Sequence, residues 1–335
     1  MVGTKERDDY WDILKGILAL CVILDHIMPY VSMTMKNNFV YDCIQSFHMP
    51  LFMLIAGYFF SLSRKRHKDV ECVKKRTMQC LIPALIWGGV HWVYAYVPLL
   101  KNGEFVEPME NFILYLNTYW FLICLWMLSI LVIIIDSLHG LKYSIPICIL
   151  LLLTAHIRIA KTPIFYAIAF YLPFFLIGYF LRERDKVAFC WKKNVVIVSA
   201  VLWFVLFLFW DILNDSGKFY KSDVIYRNLI GILYQLLIGC VGCVFVLGVT
   251  HCIYEKVNLP RVIKSRLCLY GRNTEGIYFI HMQFGPLYAL FHTSHISLFW
   301  GFCLMGTLIM GEVSMLVIRI IRCFRTVRRL LLGEE

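Results

Sequence analysis

Four ionisable side chains, Asp12, Lys15, Asp25 and His26, stand within one apolar stretch near the start of the chain, YWDILKGILALCVILDHIMPY at residues 10–30. Such groups are costly in a membrane helix unless they face protein, water or a ligand. Lys15 and His26 are eleven residues apart. That spacing is about 1100° of helix, so both lie on one face, about 16 Å apart along the axis. An imidazole in this setting can act as a general base or as a nucleophile.

The two carboxylates of this stretch are expected to differ in role. Asp12 is three residues before Lys15, and a simple structural pair between them is the preferred interpretation. Asp25 directly precedes His26, so it points about 100° away around the helix and is a poor direct partner for the imidazole. An orienting carboxylate for His26 would then come from another helix, and Asp42 and Glu275 are the candidates.

Two later segments carry further polar candidates. The second segment, FVYDCIQSFHMPLFMLIAGYFFSLS, has Asp42, Gln45 and His48 near one end. These residues either belong to a functional site or form a polar surface cluster beside a proline kink. The segment YGRNTEGIYFIHMQF carries Glu275 and His281. These two are six residues apart, so they point to opposite sides of a helix. The alternatives are a salt bridge between Arg272 and Glu275 and a satisfied core histidine at 281.

Composition predicts an all-α, polytopic membrane protein. The 335 residues are 60% hydrophobic and only 16% charged, with a mean hydropathy of +0.70, whereas soluble domains average about 25% charged residues. About ten transmembrane helices are predicted, because ten apolar segments are each about long enough to cross or pair within a bilayer. They are residues 11–33, 39–62, 78–100, 112–135, 143–157, 163–181, 194–213, 226–253, 269–291 and 297–318.

The Lys and Arg residues predict the orientation of these helices. With the N-terminus in the cytoplasm and strict alternation, 24 of the 33 Lys and Arg lie in cytoplasmic segments and six lie outside. This bias indicates that both termini are cytoplasmic, with Lys15 near the cytoplasmic side and His26 in the outer half. It also accounts for the net charge of +11, so no nucleic-acid partner is predicted. Contact with membrane lipid phosphate is a secondary use of these charges.

Several basic and aromatic residues have both a functional and a structural interpretation. Lys74, Lys75 and Arg76, in RKRHKDVECVKKRTMQCLIP, either follow the positive-inside rule or bind the phosphates of a nucleotide cosubstrate. Trp120 is typical of an interfacial anchor. Arg158 either binds an anionic or sugar-phosphate acceptor or is simply solvated.

These motifs together resemble the integral-membrane acyltransferase family 3, especially its sugar or fucose O-acetylase-like branch. The matching stretches are YWDILKGILALCVILDHI, FHMPLFMLIAGYFF, KKRTMQCLIP, YWFLICLW, FYLPFFLIGYFLR and GRNTEGIYFIH. The most specific is a basic residue, ten intervening positions and a histidine, here Lys15 and His26, with FHMPLF in the next helix. Asp25, Gln79 and Glu275 depart from the usual family pattern. The resemblance implies a single domain over residues 1–335.

The resemblance also implies a function and a set of site residues. The chain is expected to be a multi-pass protein of the bacterial cytoplasmic membrane. It would move acetyl or another acyl group from cytoplasmic acyl-CoA to a hydroxyl of a cell-surface or lipid-linked glycan, with no permanently bound cofactor and no metal. His26 would be the general base or carry an acyl intermediate. Lys15 would guide the donor or balance charge, with support from Asp12, Asp25, Asp42, Glu275 and His281. Acyl-CoA would contact Lys74, Lys75, Arg76, Trp120, Arg182 and Arg272, and the acceptor would contact Gln45, His48 and Arg158.

Two other functions compete with acyl transfer. Intramembrane charges also fit the substrate path of a transporter or flippase for a polysaccharide or its lipid-linked precursor. A catalytically silent membrane scaffold is the third hypothesis, beside acyl transfer and transport. A transporter needs no donor site, so transfer of a labelled acetyl group separates it from an enzyme.

Overall fold

The structure, a computed structural model, describes residues 9–31, 38–101, 107–156, 163–211, 225–288, 290, 292–293 and 295–334. These residues form α-helices joined by short turns, and no β-strand occurs among them. The all-α prediction is therefore confirmed. The helices are α1 (Asp9–Val31), α2 (Phe39–Arg66), α3 (Asp69–Arg76), α4 (Ile82–Lys101), α5 (Pro108–Leu116), α6 (Trp120–Ser137), α7 (Ser144–His156), α8 (Pro163–Glu183), α9 (Lys193–Phe207), α10 (Ile225–Lys256), α11 (Arg261–Arg272), α12 (Thr274–Gln283), α13 (Gly285–Tyr288), α14 (Ile296–Arg322) and α15 (Arg325–Leu332).

Within the described residues, seven helical stretches are long and apolar enough to cross a membrane. They are Asp9–Val31, Phe39–Arg66, Asp69–Val97, Pro108–Ser137, Ile164–Glu183, Leu229–Lys256 and Leu298–Arg322. Two shorter apolar helices, Gly140–Thr154 and Lys193–Phe207, match the predicted fifth and seventh segments. The chain is thus a multi-helix membrane protein, and the number ten and the orientation of the termini stay predictions.

The predicted segment 269–291 is not one helix. The chain breaks at Asn273, between α11 and α12, and again at Phe284. Asn273 has φ −118° and ψ 19°, outside the helical region, and its side-chain amide donates to the carbonyl of Leu269 at 2.6 Å. An asparagine that bonds to nearby backbone competes with helix hydrogen bonding, which explains the break. The ten residues of α12 extend about 15 Å, about half of a bilayer core.

The described chain groups into two compact units. The first unit contains residues 1–52, 187–211 and 237–318. Its central contact is between α1 and α11, whose backbones approach closely at two glycines. A Cβ on Gly16 would overlap the carbonyl oxygen of Leu267, and a Cβ on Gly271 would overlap that of Asp12. Small residues allow such close packing of membrane helices, and here they hold the ionisable face of α1 against α11.

The second unit contains residues 53–186, 212–236 and 319–335. Helices α2 and α8 pack closely in this unit through Gly57 and Gly178. A Cβ on Gly57 would overlap the carbonyl oxygen of Phe175, and one on Gly178 would overlap that of Leu54. Both glycines belong to stretches that resemble the family, IAGYFF and LIGYFL. Close helix packing explains why glycine stands at both positions.

Gly178→Ala is expected to destabilise the second unit by about 1–3 kcal/mol, because the backbone of α2 must move to admit the methyl group. The matched control is Gly89→Ala in α4, where nothing lies within 4 Å of the added Cβ. Alanine is the better helix former, so the control should keep or slightly raise stability. Thermal unfolding of both variants in the same detergent measures the difference. Equal unfolding temperatures would contradict the close contact.

A π-helical turn follows the basic end of α3. It covers Thr77–Leu81, and the N–H of Ile82 bonds to the carbonyl of Thr77. Pro83 has no N–H for the carbonyl four residues earlier, so the helix widens just before it. The turn is held by the indole N–H of Trp126, which donates to the Thr77 hydroxyl at 3.0 Å. These contacts fix the start of α4 relative to Lys74, Lys75 and Arg76.

Candidate functional site

A cluster of five charges surrounds the start of α1 in the first unit. The Asp12 carboxylate accepts from Arg272 Nε at 2.8 Å and lies 3.3 Å from Lys15 Nζ. Asp9 lies 3.1 Å from Lys264 Nζ and 3.5 Å from the Arg272 guanidinium. The predicted pair of Asp12 with Lys15 is confirmed, and Arg272 and Lys264 on α11 extend it. These described residues, two carboxylates and three cations, together carry one net positive charge.

Burial differs sharply among these charges. The Asp12 side chain is only 3% exposed, whereas Lys15 is 22% exposed and Arg272 is 45% exposed. A buried carboxylate is stable only when it is paired and hydrogen-bonded, and Asp12 meets both conditions. The glycine contacts of α1 with α11 place Arg272 beside Asp12. The cluster therefore has a structural centre, Asp12, and a partly accessible cationic rim.

A second cluster, of imidazoles, lies further along α1. The rings of His26 and His281 are nearly parallel, with centroids 5.3 Å apart and an interplanar angle of 26°. His281 is fully buried and His26 is half-buried. His48 is also buried, and it lies within electrostatic range of His26. His26 is therefore the imidazole of the three that is most open to another molecule.

The two buried histidines have defined tautomers. His281 Nδ1 lies 2.7 Å from the carbonyl of Ile277, and His48 Nδ1 lies 2.8 Å from that of Ile44. A carbonyl oxygen can only accept, so Nδ1 carries the proton in both rings and Nε2 is left as an acceptor. No group of three or more His, Cys, Asp or Glu residues in the described ranges could hold a metal ion. Each of the two buried imidazoles therefore has one donor and one acceptor nitrogen.

Nearby carboxylates have other partners. Asp25 Oδ1 accepts from the Gln45 side-chain amide at 2.7 Å, which agrees with the prediction that Asp25 turns away from His26. Asp42 accepts from the side chain of Trp210. Glu275 is exposed, whereas His281 on the same helix is buried, as their spacing predicts. No carboxylate is hydrogen-bonded to His26 in the described part of the chain. The group beside its ring is the imidazole of His281.

The candidate donor-binding residues are divided between the two units. Arg272 belongs to the first unit, and Arg76, Arg182 and Trp120 belong to the second. Within the second unit the Arg76 guanidinium lies 5.0 Å from the Phe60 ring centroid, and Arg182 donates to the Tyr58 hydroxyl at 3.0 Å. Phe60 and Tyr58 are about 200° apart around α2, so the two guanidinium groups lie on different sides of that helix.

The remaining candidates are placed as follows. Lys74 is exposed and Lys75 is half-exposed at the end of α3. Trp120 stacks on Tyr171, with ring centroids 5.5 Å apart. A 3₁₀ turn at Asn117–Tyr119 precedes Trp120 and separates α5 from α6. Arg158 lies outside the described residues.

A polar network at the end of α2 was not predicted. Arg64, only 10% exposed, bonds to Asp136 at 2.7 Å and also to Asp69. Ser61 donates to Glu183 at 2.7 Å, and Lys65 lies 3.2 Å from the same carboxylate. The pairs join the ends of α2, α3, α6 and α8 in the second unit. The sequence signal was present, because basic residues end α2 while acidic residues end α6 and α8.

The fold and these groups define a class of protein. It is a multi-helix membrane protein whose first helix carries a half-buried imidazole beside two buried ones, and such a constellation is suited to proton transfer during group transfer. A family model described as an acyltransferase domain matches residues 8–316. Because the match covers most of the sequence, the chain belongs to the acyltransferase 3 family. The family prediction made from the motifs is confirmed.

Two curated relatives share part of this sequence. The nodulation protein NolL of Mesorhizobium japonicum is 27% identical over 238 residues, which are 68% of this chain and 61% of that protein. The nodulation protein NolL of Sinorhizobium fredii is 34% identical over 125 residues, 36% of this chain and 34% of that protein. The matched region thus spans less than two thirds of the length of either relative. No solved structure has significant similarity to the chain.

Proposed function

We propose that this membrane acyltransferase moves an acetyl or other acyl group from acyl-CoA to a hydroxyl of a cell-surface or lipid-linked glycan. The observation that carries the proposal is His26, a half-buried imidazole on an apolar helix with a charge cluster about 16 Å away along the same helix. Family membership supports group transfer. The named relatives are nodulation proteins.

The reaction needs one base and one leaving group. His26 accepts the proton of the acceptor hydroxyl while the hydroxyl oxygen attacks the thioester carbonyl of acyl-CoA. The C–S bond breaks, an ester forms, and the CoA sulfur takes up the proton that His26 received. The imidazole is then neutral again and the products are an acylated glycan and CoA thiol. Transfer through an acyl-His26 intermediate is the competing sequence of steps.

The charge cluster suits the donor. Acyl-CoA is an anion made in the cytoplasm, and its phosphates pair well with Lys and Arg. The basic bias of alternate loops supports an orientation in which Lys15 lies towards the cytoplasm and His26 towards the outside. In this proposal Lys15 and Arg272 meet the donor from within, and the acceptor approaches from the outer leaflet of a bacterial cytoplasmic membrane. Gln45, which is half-buried, is proposed to contact the acceptor, whereas His48 is buried and is not assigned a direct contact with it.

The direct test uses purified protein in lipid vesicles with acetyl-CoA labelled in its acetyl group. Envelope glycans from cells that lack the protein serve as acceptors. Appearance of labelled glycan supports the proposal, and mass spectrometry of the cell's glycans with and without the protein identifies the acyl group. Movement of glycan across the vesicle membrane without any label transfer would instead support a transporter.

The double substitution Lys74→Gln with Lys75→Gln is expected to raise the KM for acetyl-CoA about tenfold, with kcat little changed. These lysines lie at the accessible end of α3, so they can stabilise bound phosphates without touching the reacting atoms. Lys142→Gln, another exposed lysine, is the matched control and should leave the KM unchanged. The steady-state rate is measured against acetyl-CoA concentration at two salt concentrations. An unchanged KM in the double variant would remove these lysines from the donor site.

A further inference from the structure

We propose that His281 is a positioning residue for His26, and that its Nε2 accepts a hydrogen bond from a ring N–H of His26 during the reaction. This inference rests on the proposed function, because it assigns the orientation of the base in that reaction. It gives a role to a buried group that the steps described above do not use. It also identifies what stands in place of an orienting carboxylate.

The hydrogen bonding of His281 is incomplete. Its Nδ1 donates to the carbonyl of Ile277, so its Nε2 is an acceptor. That Nε2 atom is buried and has no hydrogen-bond partner among the residues that the structure describes. A buried polar atom without a partner is destabilising, and such atoms in native proteins call for an explanation. Here the missing partner is a donor, since the ring nitrogen can only accept.

His26 is the group best placed to supply that donor. The two ring centroids are 5.3 Å apart, and the rings are nearly parallel. This separation exceeds direct face-to-face contact and lets a rotation of the half-buried His26 ring bring a nitrogen within hydrogen-bond reach of His281 Nε2. His281 is fully buried, so it acts through His26 and does not meet a substrate.

The surroundings fix His281 more firmly than His26. The Tyr288 hydroxyl donates to the backbone carbonyl of His281 at 2.9 Å, and the Tyr278 ring packs edge-on at 5.8 Å between centroids. A base whose second nitrogen is held by an acceptor is locked in the tautomer whose free nitrogen can take a proton. His281 does this without placing a negative charge in the apolar interior, where charge is costly.

Two substitutions separate this role from a structural one. His281→Gln keeps an acceptor oxygen near the position of Nε2, whereas His281→Asn keeps only a donor near the position of Nδ1. We expect His281→Gln to retain most of the acetyl transfer and His281→Asn to lower kcat by about a hundredfold with KM nearly unchanged. Labelled acetyl transfer from acetyl-CoA is measured for both, together with thermal unfolding.

The outcomes distinguish the hypotheses. Loss of activity in His281→Gln with full activity in His281→Asn would show that only the bond to Ile277 matters, and would overturn the proposal. If both variants fail to fold, nitrogen-15 NMR of histidine-labelled wild-type protein decides. A proton on His281 Nε2 overturns the proposal, and a hydrogen-bonded, unprotonated Nε2 supports it. Absence of transfer by the wild-type protein would contradict the proposed function itself, whatever the tautomers.

Discussion

His26→Ala is expected to lower acyl transfer by at least about a hundredfold, the usual contribution of a positioned general base. The imidazole is half-buried on an apolar helix, and two further imidazoles, both buried, lie near it. Removing it takes away the group that accepts the hydroxyl proton, and no carboxylate is hydrogen-bonded in its place among the described residues. The loss should appear in kcat, because His26 is not proposed to bind the donor phosphates.

The control for this variant is His67→Ala. His67 lies between α2 and α3 with a side chain 37% exposed, and its ring lies 3.5 Å from the Glu71 carboxylate. An exposed pair of this kind contributes little to stability, so this variant should insert, fold and transfer acetyl normally. Both proteins are compared for yield in the membrane, unfolding temperature and labelled acetyl transfer. Wild-type activity in a folded His26→Ala protein would contradict the catalytic role proposed for His26.

The reaction sequence can be tested on the same protein. Direct transfer predicts that no labelled protein accumulates when wild type is mixed with labelled acetyl-CoA and no acceptor. An acyl-His26 intermediate predicts label on the protein that disappears when acceptor is added and that is absent from His26→Ala. Rapid mixing followed by quenching and mass analysis of the peptide around residue 26 distinguishes the two.

The positions of the charged groups on α1 were predictable because helix geometry is local. The spacing of Lys15 and His26 needs only the helical repeat, and Asp12 three residues from Lys15 forms the expected pair. The turning of Asp25 towards Gln45 follows from the same geometry. The membrane class follows from composition, since charged residues are scarce.

Contacts between distant residues were not predictable in this way. Arg272 reaches Asp12 across 260 positions of sequence, and His281 lies beside His26 because two helices pack together. The break at Asn273 was also missed, since a single asparagine in an apolar run is a weak signal until its side chain is seen to bond to Leu269. The sequence offers Asp42 and Glu275 as orienting partners for His26, whereas the ring that lies beside it is the buried imidazole of His281.

Asp12→Asn is expected to destabilise the protein by about 3 kcal/mol, because it removes the buried anion that pairs with Lys15 and Arg272. The carboxylate is 3% exposed and is central to the contact of α1 with α11. Its loss removes the anion shared by Lys15 and Arg272, while Arg272 keeps its contact with Asp9 at 3.5 Å. Partial exposure of Lys15 and Arg272 keeps the cost near the lower end of the range for broken buried pairs. Unfolding temperature in detergent and yield in the membrane should both fall.

Lys15→Met is the informative contrast on the same helix. It removes one cation but leaves Asp12 hydrogen-bonded to Arg272 at 2.8 Å, so the buried carboxylate remains paired. The long apolar side chain of methionine is similar in shape to the aliphatic part of the lysine side chain. Stability should therefore change little, whereas acyl transfer should fall at least about tenfold if Lys15 guides the donor or balances charge near it. Measuring both properties separates the structural member of the pair from the functional one. A stable, fully active Lys15→Met protein would leave Lys15 with a structural role only, and a stable Asp12→Asn protein would show that the cluster does not hold α1 in place.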